Sequence, residues 1–225
     1  MKTDNRGFRN SVFEQFARIT SALSSPRRLE MIDFLAQSER SVEELARLGG
    51  LSLANASRHL KVLKAARLVD VRREGSYAYY RLADEHVFRA WRAIRDLADA
   101  RLTELEHVLR AFGADRSGAE PVTAAELLER LHAGDAVVID VRPEDEYRVM
   151  HVAGARSLPL GRLEAALRDL PAEKEIIAYC RGPYCLLSDQ AVALLLNHGF
   201  RARRLQLGMP DWNDEGLPVV RGAEA

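Results

Sequence analysis

Cysteine is nearly absent from this chain: 225 residues contain two, Cys180 and Cys185, separated by only four residues. Thiols so few and so close cannot form the disulfide framework of a small secreted domain. Long apolar runs are missing too, and no stretch of about 18 apolar residues is present to cross a bilayer as a helix. The opening Met1-Lys2-Thr3-Asp4-Asn5-Arg6 leads into no apolar signal segment. These absences predict a reducing, cytoplasmic setting with no membrane partner. No internal repeat or low-complexity stretch occurs, which excludes solenoids and arrays. A net charge of zero carries no polyanion signal at the level of the whole chain.

The zero conceals an asymmetry. Residues 1–112 hold 20 Lys and Arg against 15 Asp and Glu, while residues 113–225 hold 13 against 18. Between the halves, Gly113-Ala114-Asp115-Arg116-Ser117-Gly118-Ala119-Glu120-Pro121 lacks apolar periodicity and contains two glycines, the pattern of a short linker. The expected division is therefore a domain over 1–112, a linker over 113–121 and a domain over 122–225, each long enough to bury its own core.

In the first half, Ser24-Ser25-Pro26 offers a cap and a first-turn proline, and Leu29, Ile32, Phe34 and Leu35 follow as an apolar face. Ser41-Val42-Glu43-Glu44 has the spacing of a capping box, with Leu45 and Leu48 behind it and Gly49-Gly50 as a stop. Residues 54–66 resume a helical pattern with Ala56, Leu60 and Leu63 inward. Helix, glycine turn, helix is a helix-turn-helix arrangement.

The second of these helices has the side chains of a DNA reader. Ser52, Asn55 and Ser57 lie towards its start, and Arg58, His59, Lys61 and Lys64 follow. Cations fix position on phosphates, while Asn and Arg can bond base edges in the major groove. Val69-Asp70-Val71-Arg72-Arg73 and Tyr77-Ala78-Tyr79-Tyr80-Arg81-Leu82 flank the turn Glu74-Gly75-Ser76, which predicts a hairpin wing carrying Arg72 and Arg73. Any one of these charges reads equally well as a solvated face or a strand edge; their combination favours DNA.

Residues 13–84 resemble the ArsR-type winged helix-turn-helix repressors, through Ala22-Leu23-Ser24-Ser25-Pro26-Arg27-Arg28-Leu29, Ser57-Arg58-His59-Leu60-Lys61-Val62-Leu63, and Leu68-Val69 with Arg72-Arg73-Glu74-Gly75 through Tyr80. The resemblance implies a homodimer on a double-stranded DNA operator of two-fold symmetry. The amphipathic pattern 84–112, with Val87, Trp91, Ile94, Leu97, Leu102, Leu105 and Leu109, would supply the dimer contact. No metal site is expected. The thiol pair of metal-sensing relatives is missing from Val42-Glu43-Glu44-Leu45-Ala46, and Asp84-Glu85-His86 matches half of a second family site whose other histidine position holds Leu97. His86 is read as a helix-start residue.

Both cysteines lie in Tyr179-Cys180-Arg181-Gly182-Pro183-Tyr184-Cys185-Leu186, between an apolar run and a helical pattern over 186–197. Loop N–H groups and a helix N-terminus at such a turn stabilise negative charge on sulfur, which predicts that Cys180 is partly thiolate near neutral pH. A buried structural cysteine is the plainer alternative, disfavoured by Arg181, Gly182 and Pro183. Around this loop, strand patterns (136–141, around 157–159, 175–179 and 202–205) alternate with helical ones (124–131, 161–170 and 186–197). That alternation predicts a parallel sheet with helices on both faces and ligands at the carboxyl ends of its strands.

This half resembles a rhodanese domain over nearly its whole length, through Val138-Ile139-Asp140-Val141-Arg142-Pro143-Glu144-Asp145-Glu146-Tyr147, His151-Val152-Ala153-Gly154-Ala155, Tyr179-Cys180-Arg181-Gly182, Gly208-Met209-Pro210-Asp211-Trp212 and Gly216-Leu217-Pro218-Val219. The resemblance implies that catalytic Cys180 attacks a sulfane-sulfur donor such as thiosulfate or polysulfide. The persulfide would be held by the loop Arg181, Gly182, Pro183 and Tyr184. Arg142 is expected to face the pocket, Asp140 and His151 to be structural. Leu186 stands where related phosphatases have an anion-binding arginine, which argues against phosphate chemistry. Cys185 replaces a cation or hydroxyl of the family loop. It is either a resolving thiol for the persulfide or the first buried position of the next helix.

The expected fold is thus two domains, a mainly α winged helix-turn-helix followed by an α/β rhodanese-like parallel sheet. The expected function is a DNA-binding repressor whose rhodanese domain senses or transfers sulfane sulfur, with no cofactor. The alternatives are a sulfurtransferase that uses the winged domain for dimerisation, and a sensor of arsenite or another thiophilic ligand at Cys180/Cys185.

Overall fold

The computed structural model describes residues 5–111 and 120–222, so most of the expected linker, 113–121, lies outside the described residues. The chain divides into two compact units, Met1–Ile94 and Arg95–Ala225.

The first unit opens with α1 (Asn5–Leu23) and α2 (Pro26–Gln37). Pro26 begins α2 as expected, but Ser25 makes no side-chain cap, and the Ser24 hydroxyl instead donates to Ser21 O at 2.8 Å. After β1 (Arg40–Ser41) comes α3 (Val42–Leu48), whose capping box is complete. Glu44 N–H donates to Ser41 Oγ, and Ser41 N–H to Glu44 Oε2 at 2.8 Å. Helix α4 (Leu53–Ala65) starts at Ser52, whose Oγ accepts from Asn55 N–H. Strands β2 (Val69–Glu74) and β3 (Tyr77–Leu82) form the antiparallel wing, and β1 pairs with the outer side of β3. Gly75 turns the wing at φ +60, a conformation that a side chain would strain. Ile32, Leu45, Ala56, Leu60 and Leu63 are fully buried in one cluster, each of the larger ones stabilising the unit by about 1.5–3 kcal/mol.

The pattern over 84–112 becomes two helices, α5 (Glu85–Arg101) and α6 (Thr103–Ala111), with the ladder tightening at Leu102, whose carbonyl accepts from Leu105 N–H. Its apolar residues do not form one free stripe. Val87 is buried in the core of the first unit, Trp91 packs on that core, and the Trp91 indole N–H donates to Asp33 Oδ1 at 3.2 Å. Ile94, Leu97 and Leu102 remain exposed. Asp84 Oδ1 accepts from His86 N–H at 2.8 Å, and this contact opens α5.

In the second unit, α7 (Ala124–Ala133) is capped by Thr123 and precedes β4 (Ala136–Asp140). Then follow α8 (Glu144–Val149), β5 (Met150–Val152), β6 (Arg156–Ser157), α9 (Leu160–Leu163) and a 3-10 turn over Glu164–Asp169. The expected helix over 161–170 is therefore split. Strand β7 (Glu175–Tyr179), α10 (Leu187–Asn197), β8 (Ala202–Arg204), α11 (Met209–Asp214) and β9 (Val219–Arg221) complete the unit.

The parallel sheet runs β6-β4-β7-β8. Its period-two alternation sends Val138 and Ile177 to one face with Leu127 and Trp212, and Ile139, Ile176 and Ala178 to the other with Leu163, Ala191 and Leu195. Two layers of helices thus cover one sheet. One pairing was not expected: β5 and β9 form a separate antiparallel ribbon, because three-residue strands carry too little periodicity to stand out from a loop.

Candidate functional site

Strand β7 ends at Tyr179, and the next residue, Cys180, is 2 % exposed at the carboxyl end of the sheet. The loop 181–186 passes over it to the start of α10, and its residues are all half-buried, Cys185 included. A neighbouring segment fixes the loop from behind. Met209 N–H donates to Cys180 O at 3.1 Å, and the backbone of Gly208 lies so close that a Cβ there would overlap Arg181 O and Gly182 Cα. Only glycine permits that approach.

The two thiols are free. Cys180 Sγ has two carbonyl acceptors in reach, Cys185 O at 3.4 Å and Gly182 O at 3.7 Å, and lies 3.3 Å from the buried Ser188 Oγ. Burial pushes the Cys180 thiol well above its ordinary value, and its contact with Cys185 acts in the same direction. The Cys185 thiol is lowered to about 7 by its neighbour Cys180, against burial, with help from the backbone N–H groups of Leu187 and Arg181 and the charge of Arg181. The shift at Cys180 thus runs opposite to the expected thiolate in this conformation. Burial is the largest cause at Cys180, offset in part by the Ser188 hydroxyl and the Gly182 N–H, and no spacing in the sequence encodes how deeply a loop buries a thiol.

Two arginines also differ from expectation. Arg142 is fully buried: its Nη2 donates to Asp140 Oδ2 at 2.6 Å and to Met150 O at 2.7 Å, so it holds the sheet end and faces no solvent-open pocket. Arg181 forms a two-pronged pair with the buried Glu146, Nη2 to Oε1 at 2.7 Å and Nε to Oε2 at 3.1 Å. Its charge is balanced within the protein. Asp140 also accepts from Tyr179 Oη at 2.7 Å, and His151 is buried, stacked on Tyr147 and 2.9 Å from Tyr147 O; both are structural, as expected. Ser188 was missed by sequence reading; its signal is a hydroxyl in the first turn of the helix that follows the loop. Among the described residues no group of three or more His, Cys, Asp or Glu could hold a metal ion.

The candidate DNA face lies on α4 and the wing. Ser52, Asn55, Arg58, Lys61, Lys64, Arg72 and Arg73 are exposed, whereas Ser57 and His59 are half-buried. Ser52 is engaged as the helix cap. Burial, followed by Arg28, Arg58 and Arg27, lowers the His59 pKa, so His59 adds no cation near neutral pH. Arg72 is not a free charge either. It pairs with Glu39 Oε1 and Glu74 Oε2, both at 2.6 Å, and stacks over Tyr79. An open groove of about 760 Å³ between the end of α4 and the wing adds Arg67 and Arg81 to Lys64. Arg67 holds φ +60, the only positive φ among described residues other than glycine.

Two families match the chain: the Rhodanese-like domain over residues 123–215, and the bacterial regulatory proteins of the arsR family over 25–71. The HTH-type transcriptional regulator Rv0324 of Mycobacterium tuberculosis is 40% identical over 213 residues, 95% of this chain and 93% of its own length. The transcriptional repressor SmtB homolog of Synechocystis is 40% identical over 83 residues, 37% of this chain and 63% of its own. A sulfurtransferase of Allochromatium vinosum is 29% identical over 87 residues, 38% of this chain and 79% of its own. With a winged helix-turn-helix at its start and a rhodanese-like sheet at its end, the chain belongs to the ArsR-family transcriptional regulators that carry a rhodanese domain.

Proposed function

We propose that this regulator binds a palindromic operator as a homodimer, and that sulfane sulfur carried as a persulfide on Cys180 changes its affinity for DNA. The observation that carries the sulfur half is the position of Cys180 at the carboxyl end of β7, with Cys185 in the same loop and its carbonyl 3.4 Å from Cys180 Sγ, where a parallel sheet places its ligands. The DNA half is supported by Asn55, Arg58 and Lys61 exposed along α4, placed to meet base edges and phosphates. The homodimer is supported by the exposed apolar side chains Phe8, Phe13, Phe16 and Ile19 on α1, of the kind that interfaces cover.

The test pairs two measurements on one sample. The protein is treated with inorganic polysulfide, its mass is read for added sulfur, and its affinity for the DNA upstream of its own gene is titrated. The expected result is sulfur on Cys180 together with a shift in affinity that dithiothreitol reverses. Sulfur loading with unchanged affinity would leave a sulfurtransferase and sink the sensor. No binding to that DNA at low salt would sink the regulator's proposed operator.

A further inference from the structure

Resting on the sulfur-handling reading above, we propose that Ser188 is a further catalytic residue of the Cys180 site: its hydroxyl donates to Cys180 Sγ and stabilises the charge that returns to this sulfur when carried sulfur departs. Ser188 lies in the first turn of α10 and shares one face of that helix with Ala191 and Leu195, three and seven positions on. Ala191 and Leu195 are fully buried in the apolar cluster that also contains Cys180. A hydroxyl at the head of such a stripe, 5 % exposed, is out of place unless a polar group meets it. Among the described residues that group is Cys180 Sγ, at 3.3 Å.

The direction of the bond follows from what surrounds the sulfur. Gly182 O and Cys185 O, at 3.7 and 3.4 Å, can only accept, so they suit the protonated thiol and repel a charged sulfur. The Ser188 hydroxyl rotates to suit its partner and can donate. Together with the Gly182 N–H it lowers the cost of charge on a sulfur that burial otherwise keeps protonated. A donor in so dry a place counts for more than one in water.

Loading and release use this bond unequally. During loading the charge on Sγ is spent as the new bond forms. Ser188 then raises the thiolate fraction but reduces its nucleophilicity, and the two effects partly offset. In release a small thiolate attacks the outer, protonated sulfur of the Cys180 persulfide. A bond forms between the acceptor sulfur and the outer sulfur, the Cys180 Sγ–S bond breaks, and its electron pair stays on Sγ. The acceptor departs as a hydropersulfide with the proton of the outer sulfur, so neither an oxidant nor a reductant is consumed. Charge on Sγ is absent before this step and develops during it, and a hydrogen bond that strengthens only then lowers the barrier.

The full chain is loaded with sodium tetrasulfide, desalted and exposed to excess 2-mercaptoethanol. Samples are quenched with iodoacetamide at successive times and mapped by tandem mass spectrometry. Ser188→Ala should lose the extra sulfur from Cys180 at least about threefold more slowly than the parent, whereas Ser188→Thr, which keeps a hydroxyl, should stay within about twofold of it. Release from Ser188→Ala at the parental rate would overturn the proposal. Equal slowing in the Ala and Thr variants would overturn it too, because packing and not the hydroxyl would then set the rate. Alkylation of the unloaded chain needs no sulfur donor. At about pH 8, Cys180 of Ser188→Ala should react at least about threefold more slowly than in the parent, because fewer of its thiols are ionised; an unchanged or faster reaction would show that the hydroxyl does not donate. Failure of the folded parent to take up sulfur on Cys180, while the guanidinium-unfolded chain does, would instead remove the sulfur-handling reading, with the alkylation comparison still deciding the role of the hydroxyl.

Discussion

Arg142, paired with Asp140, shows how far a residue can be from the role its sequence neighbourhood suggests. Both side chains are 0 % exposed, and Asp140 is further bonded to Tyr179 Oη. A buried pair of this kind costs much of its attraction in desolvation, yet removing one partner strands the other charge. Arg142→Met should therefore destabilise the protein by about 3–5 kcal/mol, measured by urea denaturation. A loss under about 1 kcal/mol would mean that water reaches Asp140. The same logic separates Arg181 from the solvent-facing anion ligand that the loop motif suggests: its partner Glu146 is 1 % exposed. Asp140 and His151 were legible as structural residues, because they sit within a motif whose spacing holds a sheet end together. The upward shift of the Cys180 thiol was not legible, since it depends on burial, which Ser188, eight positions away, only partly offsets.

At the scale of elements, local rules were most reliable where the chain carries its own stop and start signals. The capping box at Ser41 and Glu44, the glycines after Leu48 and the wing around Gly75 all stand where side-chain chemistry placed them. The missed ribbon of β5 and β9 and the interruption at Leu102 have no such signals. Gly208 tests the close packing behind the thiol loop. Gly208→Ala must push Arg181 and Gly182 away, costing about 1–3 kcal/mol and changing the alkylation rates of both cysteines; unchanged rates would mean that the loop is positioned without this contact. On the sheet edge, Arg203 pairs with Glu175 at 2.7 Å and with Glu126 at 2.5 Å and lowers the pKa of both. Depressed carboxylate values stabilise the fold above the ordinary value of 4.5, and that contribution fades as pH falls through the lowered values. The thermal midpoint of Arg203→Met should therefore lie below the parent's at pH 7 and approach it as pH drops below 4.5; a gap constant with pH would exclude the electrostatic origin.

At the scale of the whole molecule, net neutrality hides an exposed basic face on α4 and exposed apolar side chains on α1. Each phosphate contact releases counterions on binding, so Arg58→Ala or Lys61→Ala should weaken operator affinity and reduce the slope of log affinity against log salt by about 1. Arg72→Ala should change that slope less, because Glu39 and Glu74 already balance its charge; an equal effect would mean that the pair opens on DNA. Phe13→Asp with Phe16→Asp should shift the protein towards monomer in sedimentation at micromolar concentration, and an unchanged distribution would place the dimer contact elsewhere than α1. The sequence alone determined the two-domain order, the winged and rhodanese-like identities, the helix starts and the principal strands. Each of these depends on short-range periodicity, capping chemistry and motif spacing. Only the tertiary structure decided how deeply each thiol is buried, which arginines are already paired, and which apolar residues of α5 stay exposed. Those properties depend on what packs against an atom from distant parts of the chain, and burial and donor geometry are not local quantities.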